Sequence, residues 1–177
     1  MKNSFNGNIY LTGFMGSGKS TIAPVLAKKM NRASFDTDLW VENNYGKSIY
    51  QIFEEEGENS FRQKETYCLE LVSQMEHFVV AVGGGAIVSS KNWINLKKSG
   101  IVIYLKYSME TIWNRIKSSD SRPLLPKKTS ERFEKVKSLL IKRSPLYERA
   151  DIIFPCEANI STDKITDQLR EQIEAYV

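Results

Sequence analysis

Cysteine is scarce in this chain: two occur among 177 residues, Cys68 and Cys156. They stand far apart and form no CxxC pair, which argues against a disulfide framework and against a structural zinc site. Long hydrophobic runs are missing as well. No apolar stretch approaches the roughly 18 residues that cross a bilayer, so no membrane partner is expected. The opening Met1-Lys2-Asn3-Ser4-Phe5-Asn6 has neither the apolar centre of a secretion signal nor the Arg-rich pattern of an organelle signal, and it reads as cytoplasmic. There is no internal repeat and no low-complexity tract.

What is present suits a globular protein. Hydrophobic residues make up 41% and charged residues 26%, which supplies one well-buried core. The length leaves no room for two comfortable domains, so a single domain over residues 1–177 is expected. The formal net charge of +4 is spread unevenly, with Lys and Arg in surplus from Lys91 to Arg149. A basic half suits a nucleic acid, a nucleoside triphosphate or plain solvated helix surface. No recognised nucleic-acid module accompanies it, so no nucleic-acid partner is expected.

The stretch that organises the chain is Gly13-Phe14-Met15-Gly16-Ser17-Gly18-Lys19-Ser20. Gly13 and Gly18 are separated by four residues and followed by Lys and a hydroxyl residue, the pattern of a phosphate-binding loop. An apolar run, Ile9-Tyr10-Leu11, precedes it, and Ile22, Val25, Leu26 and Met30 follow at helical spacing. That is the required strand, loop and helix. Glycines let successive N–H groups converge on phosphate oxygens, and the positive end of the helix adds to the attraction. Lys19 is then expected to reach the β- and γ-phosphates and Ser20 to ligate Mg²⁺. A glycine-rich turn with a surface lysine is the competing reading, and it leaves the full pattern unexplained.

Downstream, a short strand Ala33-Ser34-Phe35 ends on Asp36-Thr37-Asp38. If the chain stays extended there, residues two apart share a side and both carboxylates face one cavity. The competing role for Thr37 or Asp38 is to cap the next helix. Ser48 opens a helix that Gly57 ends, and Glu58 to Met75 forms a longer one with Phe61, Cys68, Leu69, Val72 and Met75 on one side. Arg62 lies one turn before Glu65, which taken alone reads as an ordinary helical ion pair. Phe78-Val79-Val80-Ala81-Val82 is continuous enough to be a strand covered on both faces. It ends in Gly83-Gly84-Gly85, where bare backbone lets a ligand approach; a plain loop is the alternative. Many ATPases carry a metal-binding acid at the end of such a strand. None stands here, which makes Asp36 the natural magnesium carboxylate.

The remaining elements follow the same alternation. Ile101 to Leu105 and Ile152-Ile153-Phe154 read as strands, with Met109 to Lys117 a helix that turns Ile112, Trp113 and Ile116 inward and Arg115 elsewhere. Two prolines in Arg122-Pro123-Leu124-Leu125-Pro126 exclude a regular element, and residues 118–129 are expected to form a lid over the nucleotide. Ser130 to Ile141 reads as a basic amphipathic helix, with a separate short helix starting at Arg143-Ser144-Pro145-Leu146-Tyr147. Five strands alternating with helices predict an α/β fold in three layers, a parallel sheet with helices on both faces. Ligands should gather at the carboxyl ends of the strands.

A guanine-specific switch protein would carry an Asn/Thr-Lys-x-Asp signature, and a motor or large ATPase a strand ending in Asp or Asp-Glu; neither is found. What remains is a small kinase. Gly13 to Ser20, Asp36-Thr37-Asp38, Phe61-Arg62-Gln63-Lys64-Glu65, Gly83-Gly84-Gly85, Arg122-Pro123-Leu124-Leu125 and Arg143 to Tyr147 resemble, in order, the motif set of the shikimate kinase family. The resemblance covers most of the chain. It implies the nucleoside monophosphate kinase-like sheet order 2-3-1-4-5, a helical acceptor-binding region at about 37–66, and transfer of phosphoryl from ATP, with Mg²⁺, to the 3-hydroxyl of shikimate.

The resemblance also implies roles for particular residues. Asp38 would hold and orient the attacking hydroxyl, and Arg62 and Arg143 would clamp the acceptor carboxylate. Gly83, Gly84 and Gly85 would lie beside the ring, with Phe53 and Phe61 as an apolar wall. Gly16, Ser17, Gly18, Lys19, Ser20 and Thr21 would bind the nucleotide phosphates, and Ser20 and Asp36 the metal. Lys19 and Arg122 would hold the migrating phosphoryl group, and Arg115 would lie over the adenine opposite the loop of residues 155–161. A monomer is expected. Another small-molecule kinase of the same build, such as a gluconate kinase, is the rival reading; a regulatory module that has lost its chemistry is a second. The paired arginines and triple glycine weigh against the first, and intact Lys19, Ser20, Asp36, Asp38 and Arg122 against the second.

Overall fold

The computed structural model describes residues 5–118, 125–126 and 128–177. Five strands, β1 Asn8–Thr12, β2 Ala33–Asp36, β3 Phe78–Ala81, β4 Gly100–Lys106 and β5 Ile152–Pro155, form one parallel sheet in the order β2-β3-β1-β4-β5. The order is the expected one. β1 is central and every residue in it is buried, which is why its sequence is a continuous apolar run rather than an alternation.

Among the described residues, six helices link the strands, α1 Lys19–Lys29, α2 Thr37–Tyr45, α3 Ile49–Val72, α4 Ser90–Ser99, α5 Met109–Ile116 and α6 Thr129–Tyr147, and α7 Thr162–Tyr176 follows β5, with a short 3₁₀ turn at Ala86–Val88. The β1–α1–β2 connection runs toward one edge of the sheet and the later ones run toward the other. Right-handed crossovers therefore put α1 on one face, where α7 joins it, and α3 and α4 on the opposite face. Asn8 helps to lock this frame. Its Nδ2 donates to the Val72 and Met75 carbonyls at 2.9 and 2.8 Å, and its Oδ1 accepts from the Phe78 amide at 3.0 Å, tying the end of α3 to the start of β3.

Apart from the main core, Val41, Ile52, Phe61 and Cys68 form a small buried cluster under Phe35, Trp40, Ile49 and Phe53. It holds α2 and α3 as a unit beside the carboxyl end of the sheet.

As expected, one helix ends at Gly57 and another follows it: the φ of 83° and ψ of 168° at that residue are far from helical, so α3 is two helices joined at a kink. Three other local expectations change. Met75 falls beyond the end of α3 and is exposed. The separate short helix at Arg143 does not exist: α6 continues through Pro145 to Tyr147. Proline cannot donate to the carbonyl four residues back, but that carbonyl belongs to Ile141, which is exposed. Finally, Asp36 and Asp38 do not share an extended strand. β2 ends at Asp36, which caps α2 through Oδ1, accepting from the amides of Asp38 at 2.9 Å and Leu39 at 3.1 Å. Of the segment 118–129, residues 119–124 and 127, Arg122 included, lie outside the described residues.

Candidate active site

The phosphate loop leaves β1 at Gly13 (φ 147°) and reverses at Gly16 and Gly18, both with φ of 81°. At each of the last two an L side chain would cost roughly 1–2 kcal/mol, so the glycines are needed for the shape. Lys19 Nζ folds over the loop, donating to the Gly13 carbonyl at 2.8 Å, the Phe14 carbonyl at 3.2 Å and Ser17 Oγ at 3.3 Å. Ser17 itself is buried in the loop. Gly18 gives α1 no side-chain cap and its first turn holds no acid, which leaves the positive end of the helix suited to an anion.

That end opens on a cavity of about 250 Å³ lined by Gly16, Gly18, Lys19, Ser20, Thr21, Asp36, Asp38, Gly83 and Gly84, among others. The two acids thus meet in one cavity after all, through a strand-to-helix turn rather than an extended chain. Asp36 Oδ2 is buried there with no hydrogen-bond partner. Among the described residues no group of three or more His, Cys, Asp or Glu could hold a metal by itself. One spare carboxylate oxygen and a Ser hydroxyl lining the same cavity match Mg²⁺, which keeps water and phosphate oxygens for most of its shell.

A second cavity, of about 370 Å³, lies alongside and has Asp38, Phe53, Phe61, Arg62, Glu65, Gly84, Gly85 and Arg143 in its lining. Met15, Asp38 and Gly84 line both cavities. The Phe53 and Phe61 rings are 5.0 Å apart and make its apolar wall. Arg62 is held by Glu65 at 2.7 Å and Glu58 at 3.0 Å, with its guanidinium 5.1 Å from the Phe61 ring centroid. Arg143, buried, reaches toward the Gly84 carbonyl at 3.4 Å.

The match of residues 15–174 to the family model described as shikimate kinase decides the assignment. The chain belongs to the shikimate kinase family. A shikimate kinase of Caldicellulosiruptor bescii is 39% identical over 162 residues, 92% of this chain and 90% of that one. One from Persephonella marina is 43% identical over 150 residues, 85% of this chain and 89% of that one. Among solved structures, the shikimate kinase of Acinetobacter baumannii in complex with shikimate superposes with a TM-score of 0.89 at 36% identity, covering 96% of this chain and 93% of that one. Deoxyadenosine kinase of M. mycoides, at 17% identity and a TM-score of 0.54, shares the fold alone.

On the far side of the phosphate loop of this shikimate kinase family member, Arg115 Nη1 donates to the Gly16 carbonyl at 3.1 Å, and its guanidinium lies 4.2 Å from the Tyr107 ring centroid. Of the expected residues only Arg122 lies outside the described part of the chain.

Three contributors were not legible as such. Thr37 Oγ1 accepts from the Gly83 amide at 2.9 Å and donates to the Ala81 carbonyl at 3.3 Å, fixing the start of the triple glycine. Tyr147 donates to the Gly84 carbonyl at 2.5 Å. Glu65, read as half of a surface-type pair, is almost wholly buried, with Oε1 unpartnered and Oε2 on Arg62. Burial pushes its carboxyl up to about 7 against the pull of the Arg62 guanidinium, and the nearby Asp38 adds to the rise. Thr37 and Tyr147 sit inside recognised motifs, which was the available signal; for Glu65 nothing local distinguishes a buried from an exposed partner of Arg62.

Proposed function

We propose that this chain transfers the γ-phosphoryl group of ATP to the 3-hydroxyl of shikimate. The observation that carries the reading is the junction of the two cavities at Asp38, Met15 and Gly84, which sets a phosphate-binding loop beside a pocket with two arginines for a carboxylate. The arginine fork suits a carboxylate bidentately, and Phe53 with Phe61 suits the apolar face of a ring.

In this reading the acceptor oxygen attacks the γ-phosphorus, a bond forms between them, and the bond to the β–γ bridging oxygen breaks to release ADP. Asp38 orients the hydroxyl and takes its proton as charge develops. The loop amides and Lys19 hold the phosphates in line, and Arg122 neutralises the transferring group. Ser20 and Asp36 would hold Mg²⁺, which supplies charge neutralisation on the β- and γ-oxygens. Arg115 covers the adenine, while Arg62 and Arg143 hold the acceptor carboxylate. Residues 1–177 act as one kinase domain in which 37–66 wall the acceptor and 118–129 close over the nucleotide. We read the chain as acting as a monomer, and its use of ATP and a free small acceptor suits the cytoplasm.

Coupled ADP release is the test. ADP formation that depends on shikimate is expected; ADP formation indifferent to shikimate, or turned on by gluconate in its place, overturns the reading.

A further inference from the structure

Behind the arginine pair lies a third cavity of about 560 Å³, larger than either of the two already described. It is a cleft between α3 and α6, floored by the 3₁₀ turn and the start of α4. It shares Arg62, Glu65, Gly85 and Arg143 with the acceptor pocket, so the two adjoin through these charged residues.

The new part of its lining has a consistent chemistry. Lys135, Leu139, Lys142 and Leu146 come from one face of α6 at helical spacing. Neither lysine has an ion-pair or hydrogen-bond partner among the described residues, whereas Lys29, Lys47, Lys64, Lys91, Lys97, Lys106 and Lys128 are each paired with an acid. The cleft's two carboxylates, Glu58 and Glu65, are both already held by Arg62. The start of α4 adds to the positive field: Ser89 caps it over a long 3.4 Å contact and no acid stands in its first turn. Leu139 and Leu146, interleaved with the lysines along α6, add apolar surface to the same wall.

Two unpaired ammonium groups alternating with two leucines along one face of α6, with a buried guanidinium and a helix N-terminus in the same cleft, define a site for a doubly charged anion with an apolar body. We propose that this cleft is a second ligand site for a small organic phosphate of that kind, coupled to the acceptor pocket through Arg62 and Arg143. An anion here draws on the same guanidinium groups that hold the acceptor carboxylate, so its occupancy weakens acceptor binding and leaves ATP binding alone. This consequence, unlike binding itself, rests on the proposed function.

Phenyl phosphate is the probe, with inorganic phosphate and phenol as controls for its two halves. Calorimetry on the full chain reads binding without any reference to activity. Phenyl phosphate is expected to bind more tightly than either control, and a Lys135→Gln, Lys142→Gln double variant to weaken it by about tenfold, as the loss of two charges facing a dianion requires. Both positions are exposed, and the variant's kcat and KM without the probe should match the parent. In the coupled assay phenyl phosphate should raise the shikimate KM of the parent and not that of the variant. Unchanged affinity in the double variant would place the probe in the phosphate loop or the acceptor pocket and overturn the proposal, as would the absence of a calorimetric signal. Calorimetric binding lost in the double variant, alongside no shikimate-dependent ADP release, would instead uphold the cleft and sink the assigned reaction.

Discussion

A Cβ atom added to Gly84 would stand 3.3 Å from the carbonyl oxygen of Gly13 and 3.4 Å from the amide nitrogen of Met15. The loop after β3 thus rests directly on the phosphate loop, and the distance between the acceptor and donor cavities is set by glycine meeting backbone.

Gly84→Ala should therefore push the two loops apart by a few tenths of an ångström while leaving each cavity's own lining intact. The expected result is a fall in kcat of about tenfold with both KM values nearly unchanged, because in-line transfer is more sensitive to small displacements than binding is. Steady-state kinetics, with a thermal melt to show that the fold persists, checks it; an unchanged kcat would mean that this contact does not set the transfer distance.

Arg62→Ala removes one half of the carboxylate clamp. The shikimate KM should rise by about 100-fold or more, in the range expected for truncating a buried, hydrogen-bonded charge pair, while the ATP KM stays within about twofold. Equal losses for both substrates would contradict the assignment of Arg62 to the acceptor.

Asp36 and Asp38 line one cavity but have separable tasks. Asp36→Asn keeps a competent cap for α2, since Asn caps as well as Asp, yet it removes the charge beside Ser20. It should raise the Mg²⁺ concentration needed for half-maximal rate by about tenfold or more, whereas Asp38→Asn should lower kcat at saturating Mg²⁺. A Mg²⁺ titration of the three proteins distinguishes them, and identical behaviour of the two variants would refute the division.

Glu65 makes both stability and acceptor binding depend on pH. Its folded-state value, about 7, lies above the ordinary 4.5, so the folded chain binds the proton more tightly than the unfolded chain does. That contribution is full below about 4.5 and is lost as pH rises through about 7, so stability from this group falls across that window. Glu65→Gln should flatten the difference, as read by denaturant melts from pH 5 to 8. Below about 7 the proton on Glu65 also leaves the Arg62 charge less compensated, so the parent's shikimate KM should rise as pH increases through that value and the variant's should not. A parent and variant with parallel pH profiles would remove Glu65 from acceptor binding.

The phosphate loop and the five strands are legible in the chain because each rests on local signals, glycine spacing and continuous apolar runs, whereas the sheet order is implied only by the resemblance to the shikimate kinase family. The Asp pair was placed in the right cavity by a mistaken route. The extended geometry gives way to a strand-to-helix turn capped by Asp36, and both geometries bring the carboxylates to the same side. Pro145 does not break α6, because it costs little where the carbonyl it leaves unbonded belongs to an exposed residue. The segment bearing Arg122 lies outside the described residues.

Local order along the chain, then, determined which groups would bind phosphate and that a parallel sheet flanked by helices would carry them, because backbone turns and strand burial follow from near neighbours. Only the tertiary structure decided that Gly84 leans on Gly13, that Glu65 is sealed from water beside Arg62, and that a lysine-rich cleft backs onto the acceptor pocket. These depend on segments dozens of residues apart being pressed together, and burial and Coulomb fields between such segments have no trace in the spacing of residues along either one.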